Sequence, residues 1–411
     1  MAVKTYEEIR GQIHASILSR INYAERIEDE AVMELIDEEI SEAAFRESIP
    51  LSVRLRLRQD IFHAIRRLDV LQDLIDDPEV TEIMINGPDH IFIERGGRLE
   101  ARRERFVSKE KLEAVTQQIV SDCNRSVNEA SPIADARLPS GARVNVVLPP
   151  VALNGPILTI RRFPDTPITM EKLLSLSALS EEMALFLKDA VRAGYNIFIS
   201  GGTGSGKTTF LNALSAFIPD GERLITIEDN AELQIQHVQN LVRLEARDGG
   251  IDGRREITIR ELIRASLRMR PDRVVVGEVR GAEAIDMLQA MNTGHDGSMS
   301  TGHANSARDM LRRLETMVMM GMELPLPAVR AQIASGIDLI VHLTRLRDRS
   351  RKVAGIWEVT GMQEGDIALS QLYAFRETAE ISGRIAGEWK CENRLSNTEK
   401  LQMAGLGTEP G

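Results

Sequence analysis

The segment Gly201-Gly202-Thr203-Gly204-Ser205-Gly206-Lys207-Thr208 constrains this chain more than any other. It satisfies G-x-x-x-x-G-K-[ST], follows the apolar run Ile197-Phe198-Ile199, and precedes residues at helical spacing, Phe210, Leu211 and Leu214. A strand, a glycine-rich turn and a helix in that order build a phosphate cradle. Glycines let the backbone curl until successive N–H groups point inward, and the helix adds the positive end of its dipole. On this reading residues Gly201 to Thr209 hold the phosphates of ATP. Lys207 reaches the β and γ phosphates, and the Thr208 hydroxyl serves Mg²⁺.

A cradle alone does not hydrolyse ATP. A carboxylate must orient water near the γ-phosphate, and acids must hold the metal through its shell. Two acid clusters end apolar runs, Thr226-Ile227-Glu228-Asp229 and Val274-Val275-Val276-Gly277-Glu278. In an open α/β sheet the carboxyl ends of strands face the ligand crevice, so both clusters are expected at the cradle. Gly277 stands where many P-loop proteins carry the metal-binding Asp of the Walker B strand, which passes that duty to Glu228 or Asp229. The stretch Thr293 to Asn305 sets His295 and His303 on either side of a small-residue strand, and a histidine near a γ-phosphate reports it by donating a hydrogen bond. Ten arginines crowd residues 243 to 280 against seven acids. Most are expected on solvated helices or subunit contacts, with one or two left for phosphate chemistry. Met317, Met319, Met320 and Met322 are expected to fill a core.

The 411 residues are too many for one core. Residues 1 to 49 carry twelve acids against five bases at helical spacing, and Leu51 to Leu71 resumes the pattern with a basic face, so 1–70 reads as an N-terminal helical region. Short strands, tight turns and one helix make 71–163 an α+β domain. Pro164 and Pro167 stiffen a linker over 164–175. From 176 to 375 helices alternate with β-branched runs, which predicts a mainly parallel sheet covered on both faces. Residues 376–411 read as a C-terminal extension on the surface. A net charge of −11 and 4% aromatic residues argue against a nucleic-acid-coating protein, and 43% hydrophobic with 27% charged residues describes a globular one. Cys123 and Cys391 suggest neither a disulfide nor a zinc site, which fits a reducing cytoplasm. No apolar run is long enough to span a bilayer and the start lacks a secretory signal, so a partner is expected to supply any membrane contact.

Four stretches occur together in order: GGTGSGKTT, LITIEDNAEL, RMRPDRVVVGEVRG and TGHDGSMSTGHAN. They resemble the Walker A, Asp box, atypical Walker B and His box of the type II/type IV secretion traffic ATPases. EIMINGP, RLPSGARVNVVLPP, GPILTIRRF and LIVHLTRLRDRSRKV look most like the CpaF/TadA branch, the ATPases of Tad (Flp) pilus assembly. The likeness runs from about 70 to 375. It implies a RecA-like P-loop ATPase domain in a homohexameric ring, where each P-loop domain meets a neighbour's N-terminal domain. It also implies Glu278 as catalytic glutamate, Glu228 and Asp229 as acids near Mg²⁺ and water, and His303 as γ-phosphate sensor. An arginine from the N-terminal domain joins them, with Arg143, Arg161 and Arg162 in the matching segments. Gly302 departs from the bulkier residue usual in the His box.

The function so implied is an ATP-driven motor at the cytoplasmic face of a bacterial inner membrane, acting on a pilus platform protein and touching no nucleic acid. The rival readings are the related ATPase of a type IV secretion or conjugation channel, a nucleic-acid translocase, and a nucleotide switch without turnover.

Overall fold

The computed structural model describes residues 5–21, 28–123, 125–138, 140–162, 167–247 and 255–406. The chain divides into two compact units, Met1–Pro164 and Asp165–Gly411.

The first unit opens with three helices, α1 (Tyr6–Arg20), α2 (Asp29–Arg46) and α3 (Leu51–Arg66). The Thr5 side chain accepts from the Glu8 backbone and Glu8 returns a bond to the Thr5 N–H, a capping box that starts α1. Ile13 and Ile17 meet Val32, Ile36 and Ile40, and both sets pack on Leu57 and Ile61, so the three apolar stripes close one small core. Part of the acidic character of α2 is answered inside the unit. Arg20 reaches Glu38 and Glu39 at 2.9 and 2.8 Å, and Arg58 and Arg66 on α3 reach Asp37 and Asp29, each at 2.7 Å.

A short helix α4 (Gln72–Asp76) leads into β1 (Val80–Asn86), β2 (Ile91–Arg95), β3 (Arg98–Ala101), α5 (Lys109–Asp122), β4 (Ile133–Arg137), β5 (Arg143–Val147) and β6 (Ile157–Arg161). The six strands form an antiparallel sheet in the order β3-β2-β1-β6-β5-β4. Alternation puts Ile83, Ile85, Val144, Val146, Leu158 and Ile160 on one side, under Leu112, Val115 and Ile119 of α5. The same register sets Arg137 opposite Arg143 and Arg143 opposite Arg161, with Glu82 of β1 beyond them.

The predicted connector at 164–166 lies outside the described residues. The remainder of the segment read as a linker is not all irregular. Thr169 caps α6 (Met170–Ser175), whose Met170 and Leu173 are buried in the second unit's core.

After α6 the second unit runs α7 (Glu181–Arg192), β7 (Ile197–Gly201), α8 (Lys207–Ser215), β8 (Arg223–Glu228), β9 (Asn240–Glu245), α9 (Ile259–Ser266), β10 (Arg273–Val276), α10 (Ala284–Asn292) and β11 (Met299–His303). It continues through α11 (Ala307–Gly321), α12 (Leu326–Gly336), β12 (Leu339–Arg345), β13 (Arg351–Gln363), β14 (Asp366–Ile381), β15 (Arg384–Cys391) and α13 (Glu399–Met403). Its nine-stranded sheet has the order β15-β14-β13-β12-β7-β11-β10-β8-β9. The strands from β12 to β9 are parallel, and β13 to β15 extend the sheet antiparallel. Two apolar cores cover its two faces, which explains why β7 and β10 are buried at every residue.

Two expectations are corrected here. The extension predicted from 376 lies largely on the surface as expected, but it begins inside β14 and continues as the edge strand β15. The tail after it is pinned: buried Glu358 accepts from the Ser396 N–H and hydroxyl and from the Asn397 N–H at 2.7–2.9 Å, while Lys400 bridges Asp296 and Asp338 at 2.8 Å. Of the four methionines, only Met317 is buried. Met319, Met320 and Met322 are 45%, 66% and 41% exposed, because the buried face of α11 carries Met310, Leu311, Leu314, Met317 and Val318 and turns away from the others.

Candidate nucleotide site

β7 delivers the chain to the glycine-rich turn, and α8 begins at Lys207. Gly206 caps α8 with φ 93° and Gly204 has φ 70°, backbone that a side chain disfavours and that this turn requires. The Ser205 hydroxyl donates to the Gly202 carbonyl at 2.9 Å, fixing the loop from within. Arg351, at the start of β13, donates to the Gly204 carbonyl at 2.9 Å and holds it from outside.

Parallel pairing places β11 between β7 and β10, with β8 next, so the carboxyl ends of four strands meet at the loop. The Lys207 ammonium donates to the Gly201 and Gly202 carbonyls at 3.2 and 3.1 Å and to His303 Nδ1 at 3.3 Å. An ammonium has only donors, so His303 Nδ1 is the acceptor and the ring proton of the neutral form sits on Nε2. That nitrogen lies 3.1 Å from Glu278 Oε1. Burial first, and the Lys207 charge second, hold the His303 pKa below its ordinary value, which keeps the ring neutral. Glu278 Oε1 is buried and accepts no well-aligned hydrogen bond, whereas Oε2 takes one from Arg280 at 3.0 Å. Arg280 also lies 3.5 Å from Asp229. A continuous polar chain thus runs from Lys207 through His303, Glu278 and Arg280 to Asp229.

Glu228 sits deeper. It is 3% exposed, and its Oε2 accepts from the backbone N–H groups of Glu232 and Leu233 at 2.8 and 2.9 Å. Burial raises its pKa to about 7, against the lowering effect of those two amides. The Gly277 departure has a steric counterpart. A Cβ at 277 would come within 3.0 Å of Glu228 Cγ and 3.6 Å of its Oε2, so the Glu228 side chain fills the space beside Gly277. Gly302 is similar: a Cβ there would meet Met310 Cε at 2.9 Å and Phe198 at 3.0 Å. Met310 takes the room that a bulkier His-box residue would need.

The residues fit Mg²⁺ as an ion that keeps waters and takes phosphate oxygens. Thr208 lies in the first turn of α8, Asp229 is 3.5 Å from Arg280, and no three-ligand cluster occurs among the described residues, so the residues that would hold the ion are Thr208 with Glu228 and Asp229.

Most of the other candidate residues take no part in this polar chain. His295 lies at the other end of β11, where its Nδ1 sits 3.2 Å from the Ala290 carbonyl; a strand of five residues carries it roughly 16 Å from the His303 end. Of the described arginines at 243–280, Arg260 and Arg264 fork onto Asp286, each at 2.7 Å, and Arg280 is tied to Glu278. Arg143 and Arg161 lie on paired strands of the first unit, and Arg162 donates to the Asp77 carbonyl there. The reading missed Arg351, Arg312, Arg313 and His342. His342, buried in β12, lies 2.8 Å from the Ser200 hydroxyl and hydrogen-bonds the Asn305 backbone. Its one sequence signal is a histidine interrupting the apolar run Leu339-Ile340-Val341.

A P-loop on a parallel sheet, with a glutamate, a histidine and a lysine converging on it, defines a nucleoside-triphosphate-binding protein of the P-loop class. Residues 66–397 match the model of the Type II/IV secretion system protein family, and the chain belongs to that family. The chain is 33% identical over 319 residues to the conjugal transfer protein TrbB of Rhizobium radiobacter, spanning 76% of this chain and 94% of that protein. It is 34% identical over 321 residues to the type IV secretion system protein PtlH of Bordetella pertussis, covering 72% and 95%. Among solved structures, the pilus retraction motor PilT with bound ADP superposes with a TM-score of 0.50 at 20% identity, over 74% of this chain and 81% of that one. The ATPase DotB of Yersinia pseudotuberculosis gives 0.51 at 18%, over 70% and 77%. The fold is the RecA-like fold of secretion ATPases, preceded by an N-terminal domain.

Proposed function

We propose that the protein hydrolyses ATP as the motor of a Tad/Flp-type pilus assembly machine. The placement of His303 between Lys207 and Glu278 carries the hydrolytic part of this reading. Glu278 acts as base through Oε1: water oxygen bonds to the γ-phosphorus, its proton passes to Glu278, and the bond to the β-γ bridging oxygen breaks to leave ADP and inorganic phosphate. Arg280 holds Glu278 through the other oxygen. His303 reads the γ-phosphate, and Lys207 neutralises charge on the β and γ oxygens. Thr208, Glu228 and Asp229 are the residues that would hold Mg²⁺, and the ion when bound would supply further charge neutralisation. Arg143 and Arg161, paired across β5 and β6, and the adjacent Arg162 are the cations that the family resemblance offers to a nucleotide at a subunit boundary of a homohexameric ring.

Substituting Glu278→Gln tests the assignment. Hydrolysis is expected to fall at least ~100-fold with ATP affinity unchanged, while Lys207→Ala weakens ATP binding itself. Equal turnover in Glu278→Gln would show that another group is the base.

The relatives favour a second reading of the machine served. TrbB is a conjugal transfer protein and PtlH a type IV secretion system protein, so a secretion or conjugation channel is the rival destination for the same motor. Stimulation of ATPase activity by the cytoplasmic fragment of a pilus platform protein, and not by channel components, separates the two. Both readings place the protein at the cytoplasmic face of the inner membrane, held there by a partner; no described helix is long and apolar enough to cross a membrane.

A further inference from the structure

A cleft of about 460 Å³ opens beside the nucleotide site, between the start of the P-loop and α11. Gly202 and Thr203 form one side, His303 its base, and Asp309, Arg312 and Arg313 line the α11 side. The positions 309, 312, 313 and 316 lie on one helical face, so the cleft follows α11 for roughly 10 Å.

Three observations give this cleft a chemical sense. It begins beside Lys207, whose ammonium donates to the carbonyl of the lining residue Gly202 at 3.1 Å, and on the ATPase reading that lysine marks the γ end of the cradle. His303, at the base of the cleft, has its Nδ1 3.3 Å from the Lys207 ammonium. Its far wall carries two guanidinium groups that form no ion pair among the described residues, although Arg308 on the same helix pairs with Asp366 at 3.3 Å. Asp309 is the one carboxylate lining the cleft, and it lies in the first turn of α11. The balance of charge in the cleft is therefore positive, and Arg313 is close enough to act electrostatically on His303.

We propose that this cleft is a holding site for the inorganic phosphate cut from ATP, with Arg312 and Arg313 as its anion ligands and His303 at its entrance. The inference rests on the ATPase reading above. Planar guanidinium groups suit a tetrahedral oxyanion, which each binds through two parallel N–H donors. The phosphate leaves the γ position past His303 while ADP stays on the P-loop. The two products thus have separate sites, and phosphate at millimolar concentration slows turnover by occupying the cleft.

Calorimetric titration of inorganic phosphate into the full-length protein loaded with ADP tests this without needing turnover. The wild-type chain is expected to bind one phosphate per subunit. Arg312→Gln with Arg313→Gln is expected to weaken that binding at least tenfold, with ADP affinity within twofold of wild type. Arg312→Lys with Arg313→Lys is expected to fall between, because the charge remains and the paired donors are lost. The proposal is overturned if the ADP-loaded wild type takes up no phosphate, if the glutamine pair leaves phosphate affinity unchanged, or if ADP affinity falls in parallel. Failure of the wild type to bind ADP at all would instead sink the nucleotide-site reading. Both arginines are exposed, so the substitutions leave the core intact.

Discussion

Lys207, Glu278 and His303 are separated by up to 96 residues, yet contacts of 3.3 and 3.1 Å join them. The spacing of the P-loop and the acids ending apolar runs made these legible, because strand ends in a parallel sheet converge. Glu228 was legible as a member of the group but not in its state. Burial, invisible in sequence, raises its pKa to about 7. The sign of the consequence is definite. Between the ordinary carboxylate pKa and pH 7 the folded chain keeps a proton that the unfolded chain has lost, so this group's contribution to stability falls as pH rises through that window. Glu228→Gln keeps an acceptor for the Glu232 and Leu233 amides and cannot ionise. Thermal unfolding followed from pH 5 to pH 8 is expected to show the variant gaining on wild type as pH rises, by about 2–3 kcal/mol at pH 8. A constant difference across that range would mean that Glu228 is ionised throughout.

Packing between β11 and α11 sets the element that carries His303. Gly302 gives Met310 and Phe198 their room, and Ser306 caps α11 by accepting from the Asp309 N–H at 3.0 Å. Gly302→Leu is expected to lose about 1–3 kcal/mol in denaturant unfolding, and Met310→Ala in the same chain to restore part of it. Additive losses would place the clash elsewhere. The five parallel strands around the P-loop were readable from apolar runs, whereas β9 and the β13 to β15 meander were not. β9 interrupts its apolar positions with Asn240, Arg243 and Glu245, and the outer part of β14 is exposed from Glu377 to Ile381, so neither carries a buried-strand signature.

At the scale of the whole molecule, 411 residues are too many for one core, and the chain divides into two compact units, Met1–Pro164 and Asp165–Gly411. The proposed ring is tested at this scale. Native mass measurement with a non-hydrolysable ATP analogue is expected to give six copies, and a monomer at micromolar concentration would remove the ring from the account. The pairing of Gly277 with Glu228 has a practical corollary for anyone redesigning such motors. Repairing the divergent strand toward the commoner aspartate would be no simple restoration here: a Cβ at 277 would crowd Glu228 Cγ at 3.0 Å, and the Glu228 side chain would have to shift to admit a second acid. Consensus, at that position, is the wrong guide.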